Sequence, residues 1–408
     1  MYAKIRNTAF SLVIILTLSF WVISIGEHRV NERKDQQGQE EEIKTIEVWY
    51  STSLYEPYLA AAAEAFEKEN NVAVNLKSVE GLAYISTIQS ANMNMEGPDL
   101  CLTDSRYLQN FVRIGAAART EQDEDYSEKL FYNNVWKNME YQGNIYGYPL
   151  GFDTTVLMYN GNFVSEVLDS FEKIMDFSLE NQNIPAGEIL RWSTKDFMYN
   201  YCFVGKYALI GGENGYEQTV NLNNQELFEA GAVYQKLCEY FTEHQEYSYD
   251  EVKNQFAAGK LWYAIVSTDV LKLCGGWETR TGFAVLPALN DDLQISAVSV
   301  TDLAIVNEFS DEKEAASQFA KYLSAGMADR MYELCGVLPL AKSETVPGES
   351  RVFYEQYEHS QSLPKLMSTS DYWNKMRDAL TKIRNGAEVV PVFEELHHLM
   401  EDRIKQQN

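Results

Sequence analysis

Five residues in this chain combine types and positions suited to capturing a small molecule. Asp153 stands in "NIYGYPLGFDTTVLMYN", Asn144 to Asn160, where two glycines and a proline precede a β-branched, apolar tail. A lone carboxylate at the mouth of an apolar run raises the question of what it faces. Asp104 and Arg106 follow "PDLCLTD", and Tyr50 and Ser51 close "TIEVWYS". Planar acceptors such as Asp, donors such as Arg and aromatic rings to stack on suit a small polar ligand. Carboxylates gathered out of water need a cation or hydroxyls to satisfy them, which leaves a polyamine or another cationic ligand open. Two acids also admit hydrolysis: glycosidases hold a carboxyl pair at about 5 Å or at about 6.5 to 9.5 Å. Nothing in the sequence marks Asp104 or Asp153 as the raised-pKa acid such chemistry requires. Metal chemistry has less support. The cysteines, Cys101, Cys202, Cys238, Cys274 and Cys335, are widely spaced without CxxC or CxH pairing, and read as buried small residues with room for one disulfide. His397 and His398 are helix neighbours whose rings point to different faces. Neither a metal nor a cofactor is expected.

The elements that must position these residues alternate. At 408 residues the chain is too long for one ordinary core, so two domains are expected. "TIEVWYS" reads as a short buried strand and "PYLAAAAEAFEKEN" as an amphipathic helix. "VAVNLKSVE" is a second strand and "PDLCLTD" a third, giving a β-α-β-α-β pattern that predicts a mostly parallel sheet with helices on both faces. Ligands of such sheets sit beyond the carboxyl ends of the strands, where Tyr50 to Ser53 and Thr103 to Arg106 lie. Further strands are expected at "VLMYN", "KLWYAIVS", "GFAVLPA" and "SVTDLAIV". Helices are expected over Gln225 to Thr242, Tyr249 to Ala258, Asp311 to Ala325, Ala328 to Leu334 and from Ser370 to the C-terminus.

Charge and the N-terminus set the compartment. Sixty acids against 34 bases leave a net charge of -26, which repels nucleic acid and anionic membrane surfaces. Lys4 and Arg6 precede an almost uninterrupted apolar run from Ala9 to Ile25, followed by the polar "GEHRVNERKDQQGQEEEIK". This predicts an export segment, with the remainder facing outward. Residues 1–26 are expected to be a signal peptide or a membrane anchor, since about 17 to 19 apolar residues also span a bilayer. Residues 27–43 would be a polar tether.

In order along the mature chain, "IEVWYS", "AAAEAFEKENNVAVNL", "GPDLCLTDSRYLQNFVRIGAA", "NIYGYPLGFDTTVLMYN", "VKNQFAAGKLWYAIVST", "GFAVLPALND", "DLAIVNEFSDEKEAASQFAKYLSA", "GVLPLAKS" and "YWNKMRDALTKIRNGAEVVPVFEELHHLMEDRI" resemble the signposts of extracellular solute-binding proteins of family 1. This class feeds bacterial ABC importers and includes the maltodextrin-binding proteins. The resemblance implies an α/β, two-lobe periplasmic-binding-protein-like (type II) fold with a hinge crossed three times. Lobe 1 would be 44–152 plus 283–323, and lobe 2 would be 153–282 plus 324–408. The first crossing would be "YGYPLGFDTTVLMYN", its glycines supplying backbone freedom and Asp153 facing the cleft. The others would fall near Gly282 to Ala284 and near Ser324 to Ala328.

The resemblance also implies roles. Asp153 matches an acid that contacts ligand in sugar-binding relatives, Trp373 in "DYWNKM" a stacking tryptophan, Tyr199 in "DFMYNYCF" a second-lobe aromatic, and Asp104 with Arg106 a ligand-facing loop. The sequence departs from the pattern at Ser267 to Asp269, "STD" where relatives often have "GPW", so that Asp269 replaces a ring. Thr52, Ser53 and Leu54 replace a charged pair after the first strand. No lipobox cysteine follows the apolar run, favouring a secreted form or one held on the extracellular face of the cytoplasmic membrane. The expected protein is a monomeric, non-enzymatic substrate-binding component that closes on an oligosaccharide or sugar and presents it to ABC permease subunits. Alternatives are a polyamine or cation binder of the same fold, and a membrane-anchored sensor serving a signalling partner.

Overall fold

In "KTIEVWY" the β-branched and aromatic residues favour an extended backbone, and Ile46 and Val48 are fully buried in the resulting strand. The computed structural model describes residues 43–408 apart from 80, 82, 122–125, 213, 214, 216, 366–371 and 408. The expected signal or anchor segment and nearly all of the tether lie outside the described residues, as do the first two residues of the helix expected from Ser370. Among the described residues no helix is long and apolar enough to cross a membrane.

Ten strands build two sheets. They are β1 (Lys44–Tyr50), β2 (Val72–Ser78), β3 (Leu100–Asp104), β4 (Tyr148–Asp153), β5 (Val156–Asn160), β6 (Leu190–Arg191), β7 (Tyr263–Val266), β8 (Thr281–Ala284), β9 (Val300–Val306) and β10 (Leu338–Pro339). The larger sheet has the order β10-β4-β9-β3-β1-β2, the smaller β8-β5-β7-β6. β1 and β3 are parallel, but β9 is antiparallel to β3 and β4, and β10 to β4. The larger sheet is therefore mixed, not mostly parallel. β4, β9 and β10 come from distant parts of the chain, so crossover helices do not set their direction.

The segment around Asp153, unlike a strand in composition, is one: five of the six residues of β4 are buried. Pro149 is tolerated where the register of β9 shifts between Thr301 and Leu303. Gly147 takes φ +77°, which favours glycine. Gly151 is there for space: a Cβ would sit 2.2 Å from Val337 Cγ1 and 3.0 Å from the Leu338 carbonyl of β10.

The chain passes between the sheets at Thr154 and Thr155, where β4 ends and β5 begins. The second passage, expected near Gly282 to Ala284, lies further on. Those residues pair with β5 inside the smaller sheet, and the larger sheet is reached only at Val300. The third, expected near Ser324 to Ala328, is later still. Tyr322–Gly326 forms a π-helical turn whose Ser324 hydroxyl donates to the Pro149 carbonyl of β4. Leu338–Pro339, expected in the second lobe, pairs with β4. The chain then runs through a helix (Arg351–Glu358) whose Tyr357 packs on Phe152 and whose Phe353 packs on Phe283 of β8. The connecting segments lie side by side: Ser299 Oγ donates to Thr154 Oγ1 over 2.8 Å, while Gln361 N donates to Ala297 O and Ser299 N to Gln361 O.

Helices Gln225–Thr242 and Tyr249–Ala257 appear where periodicity predicts them; Asn224 caps the first, and a Ser248–Glu251 capping box starts the second. The helix expected from Ser370 is two, Tyr372–Arg384 and Val389–Gln407, separated by Gly386 at φ +91°. All five cysteines are free thiols, so the expected room for a disulfide is not used; Cys101, Cys202, Cys238 and Cys335 are buried.

Candidate functional site

A cavity of about 640 Å³ opens where the ends of β3, β4 and β9 meet the segment after β7. Ser51, Asp104, Arg106, Asp153 and Asp269 all line it. Strand ends leave backbone and short polar side chains pointing outward, which is why the strand-end argument located Ser51, Asp104 and Arg106; Asp153 and Asp269 were placed there through the resemblance.

Each of the three predicted acids already has protein donors. Arg106 folds back on Asp104 as a fork, Nε to Oδ1 and Nη2 to Oδ2 both at 2.8 Å, with its backbone N–H on Oδ1 at 2.9 Å. That pairing holds the guanidinium pKa above its ordinary value. Asp153, at the end of the larger sheet's β4, accepts from Ser267 Oγ, from Thr268 Oγ1 at 2.8 Å and from Thr268 N at 3.2 Å, all following β7 of the smaller sheet. The "STD" departure therefore supplies donors to Asp153. Asp269 accepts from Tyr249 Oη at 2.6 Å and Lys253 Nζ at 2.9 Å, one helical turn apart on Tyr249–Ala257. The unpaired carboxylates that made a cationic ligand attractive are not present among these three, and no group of three or more His, Cys, Asp or Glu among the described residues could hold a metal ion.

The other three predicted residues do not line the cavity. Tyr50 is 4% exposed, its ring packed in the core beneath the larger sheet. Tyr199 is buried against Tyr249 at a ring separation of 4.9 Å, so it backs the Tyr249–Asp269 contact; burial, with Asp153 second, raises its hydroxyl pKa. Trp373 packs edge-on against Phe197 and Tyr372, at 5.2 and 4.8 Å. Rings beside core aromatics bury their area there.

Among the lining residues that the sequence reading did not pick are Tyr107, Tyr55, Asp302 and the cation Lys272. Tyr107, 42% exposed, follows the Arg106 fork, with the guanidinium 5.7 Å from its ring. Tyr55 is buried, and its hydroxyl donates to Asp302 Oδ2 at 2.7 Å. Asp302 lies on β9 directly opposite Asp104 of β3. Like charges so placed repel. Burial first, then Asp104 and Asp153, push the Asp302 carboxyl up to about 7, against the Tyr55 hydrogen bond and Arg106. The one signal for it in the sequence is an acid inside the apolar "SVTDLAIV".

The arrangement offers acceptors, one guanidinium, the ammonium of Lys272 and one exposed ring around a space of ligand size, bounded by both sheets. Among known proteins, the chain is 20% identical over 410 residues to a maltooligosaccharide ABC transporter solute-binding lipoprotein of Streptococcus pneumoniae, covering 95% of this chain and 94% of the relative. It is 22% identical over 350 residues to a galactooligosaccharide-binding protein of Bacillus subtilis, covering 80% and 81%. An extracellular solute-binding protein of Staphylococcus aureus, solved in complex with maltose, superposes with a TM-score of 0.77 at 18% identity, over 90% of this chain and 100% of that one. These neighbours establish the two-lobe fold. The model of the bacterial extracellular solute-binding proteins matches residues 61–350, well over half of the chain, and the chain belongs to that family.

Proposed function

We propose that this protein captures a neutral oligosaccharide between two lobes and delivers it to the membrane subunits of an ABC importer. The observation that carries the reading is the set of hydrogen bonds that Ser267 and Thr268 donate to Asp153, which joins the ends of the two sheets across one wall of the cavity. The lobes are those built on the two sheets, and the adjacent segments at Thr154, Ser299 and Gln361 act as the hinge. Closure follows only if ligand binds the closed arrangement better than the open one. Asp104, Arg106, Asp153 and Ser51 supply hydrogen bonds, and Tyr107 offers the stacking face that Trp373 does not. The names of the relatives, which bind malto- and galactooligosaccharides, point to the same ligand class. Membership of a binding-protein family excludes the hydrolytic reading of the acid pair. The expected protein is exported, with its binding lobes outside the cytoplasmic membrane.

A thermal-shift screen of the full-length protein in mild detergent tests this with maltotetraose, a galactooligosaccharide, spermidine and ferric ion. A ligand that binds only the folded state stabilises it by about 2.7 kcal/mol at a hundredfold excess over Kd. An oligosaccharide is expected to raise the melting temperature. A shift with spermidine or ferric ion alone would overturn the reading.

A further inference from the structure

Four carboxylates line the cavity, and they are not equivalent. Asp104 is held by the Arg106 fork, Asp153 by three donors from Ser267 and Thr268, and Asp269 by Tyr249 and Lys253. Among the described residues Asp302 has a single hydrogen bond, from Tyr55 to Oδ2, and its other oxygen, Oδ1, takes none. The side chain is half-buried on β9, at the floor where the larger sheet closes the cavity.

We propose that Asp302 is a specificity-determining ligand contact whose free oxygen accepts a hydrogen bond from a hydroxyl of the captured oligosaccharide. The proposal rests on the oligosaccharide reading above and names the group that reads the sugar from the floor. A donor is what this oxygen lacks. The ionisable groups that face Asp302 are Tyr55, Asp104, Arg106, Asp153, Cys335 and Tyr357. Arg106 alone among them is cationic, and both of its fork nitrogens are spent on Asp104. Lys272 also lines the cavity, so an anionic ligand would meet four acids against Lys272 and an Arg106 already paired with Asp104, a net negative lining that disfavours it. A ligand hydroxyl would form a charge-assisted hydrogen bond with the ionised carboxylate and offset its burial. With this carboxyl pushed up to about 7 in the free protein, a donating ligand favours the ionised form. Binding near neutral pH therefore releases a proton, and affinity rises as pH rises.

Calorimetry on the full-length protein in mild detergent tests this, with maltotetraose and a galactooligosaccharide as probes, from pH 5.5 to 8 and in two buffers of different ionisation enthalpy. Affinity for the sugar that binds is expected to rise about tenfold over this range, with a buffer-dependent heat at pH 7 that reports proton release. Asp302→Asn keeps the shape and an acceptor for Tyr55. It should bind at least tenfold more weakly at pH 8, with a flat pH profile and no proton release. Wild-type binding that is flat with pH, releases no proton and is matched by the variant would overturn the inference and leave the oligosaccharide reading standing. Binding of neither sugar at any pH would overturn both. If the variant does not fold, the wild-type proton count decides.

Discussion

At the scale of single residues, the site is decided by where each carboxylate finds its donors. Asp153 accepts from three groups of the opposite sheet's loop, which makes it a bridge as well as a candidate ligand contact. Asp153→Ala removes both roles. It is expected to weaken oligosaccharide binding at least tenfold, about 1.4 kcal/mol, and to cost about 1 kcal/mol of stability. Calorimetry and urea denaturation measure the two effects, and unchanged affinity would remove Asp153 from the site. Of the acids that line the cavity, Asp104 was legible because it ends a strand signal and strand ends face the cavity, whereas Asp153 and Asp269 were assigned to the site only through the family resemblance. Tyr50, Tyr199 and Trp373 misled because a ring's type says nothing about which neighbours it packs on. Here those neighbours are core residues and other aromatics.

At the scale of elements, the glycine-rich segment shows how one composition serves two purposes. Its glycines suggested backbone freedom, and Gly147 has the positive φ that agrees. Gly151 instead lets β10 approach β4, since a Cβ would press into Val337 and the Leu338 carbonyl. Gly151→Ala is therefore expected to destabilise the protein by about 1 to 3 kcal/mol through overpacking. A lower urea midpoint with an unchanged m-value would show it, and a midpoint matching the wild type would remove the steric account. Helix Tyr249–Ala257 was legible from its periodicity, a local signal, and the structure adds a Ser248–Glu251 capping box, three residues apart in sequence. The position of β10 was not, because a two-residue strand carries no periodicity and is held by pairing with residues far back in the chain.

At the scale of the whole molecule, one half-buried acid ties stability to pH. The Asp302 pKa, raised to about 7 in the folded state, lies above its unfolded value of about 3.9. The folded state then binds more protons than the unfolded state between these values. The contribution is fully present below about pH 4 and is lost as pH rises through 7. Without ligand, Asp302→Asn is expected to melt above the wild type at pH 8 and close to it at pH 4.5. Melting curves at the two pH values check this, and an equal difference at both would contradict the linkage. The net charge of -26 acts at the same scale, keeping polyanions away from a cavity that itself gathers acids.

The sequence by itself determined the family, the α/β class, most strands and helices, and the strand-end acids, because hydrophobic period, capping residues and the order of short signposts are local properties. Tertiary structure decided the rest. It brought the segments at Ser299 and Gln361, both past the points expected for the second and third crossings, side by side between the sheets. It turned "Ser267-Thr268-Asp269" into the donors and neighbour of Asp153, and it set Asp302 opposite Asp104 with one hydrogen bond. These outcomes depend on register between strands roughly 200 residues apart and on which donors that register brings within about 3 Å. No local pattern in the chain encodes either.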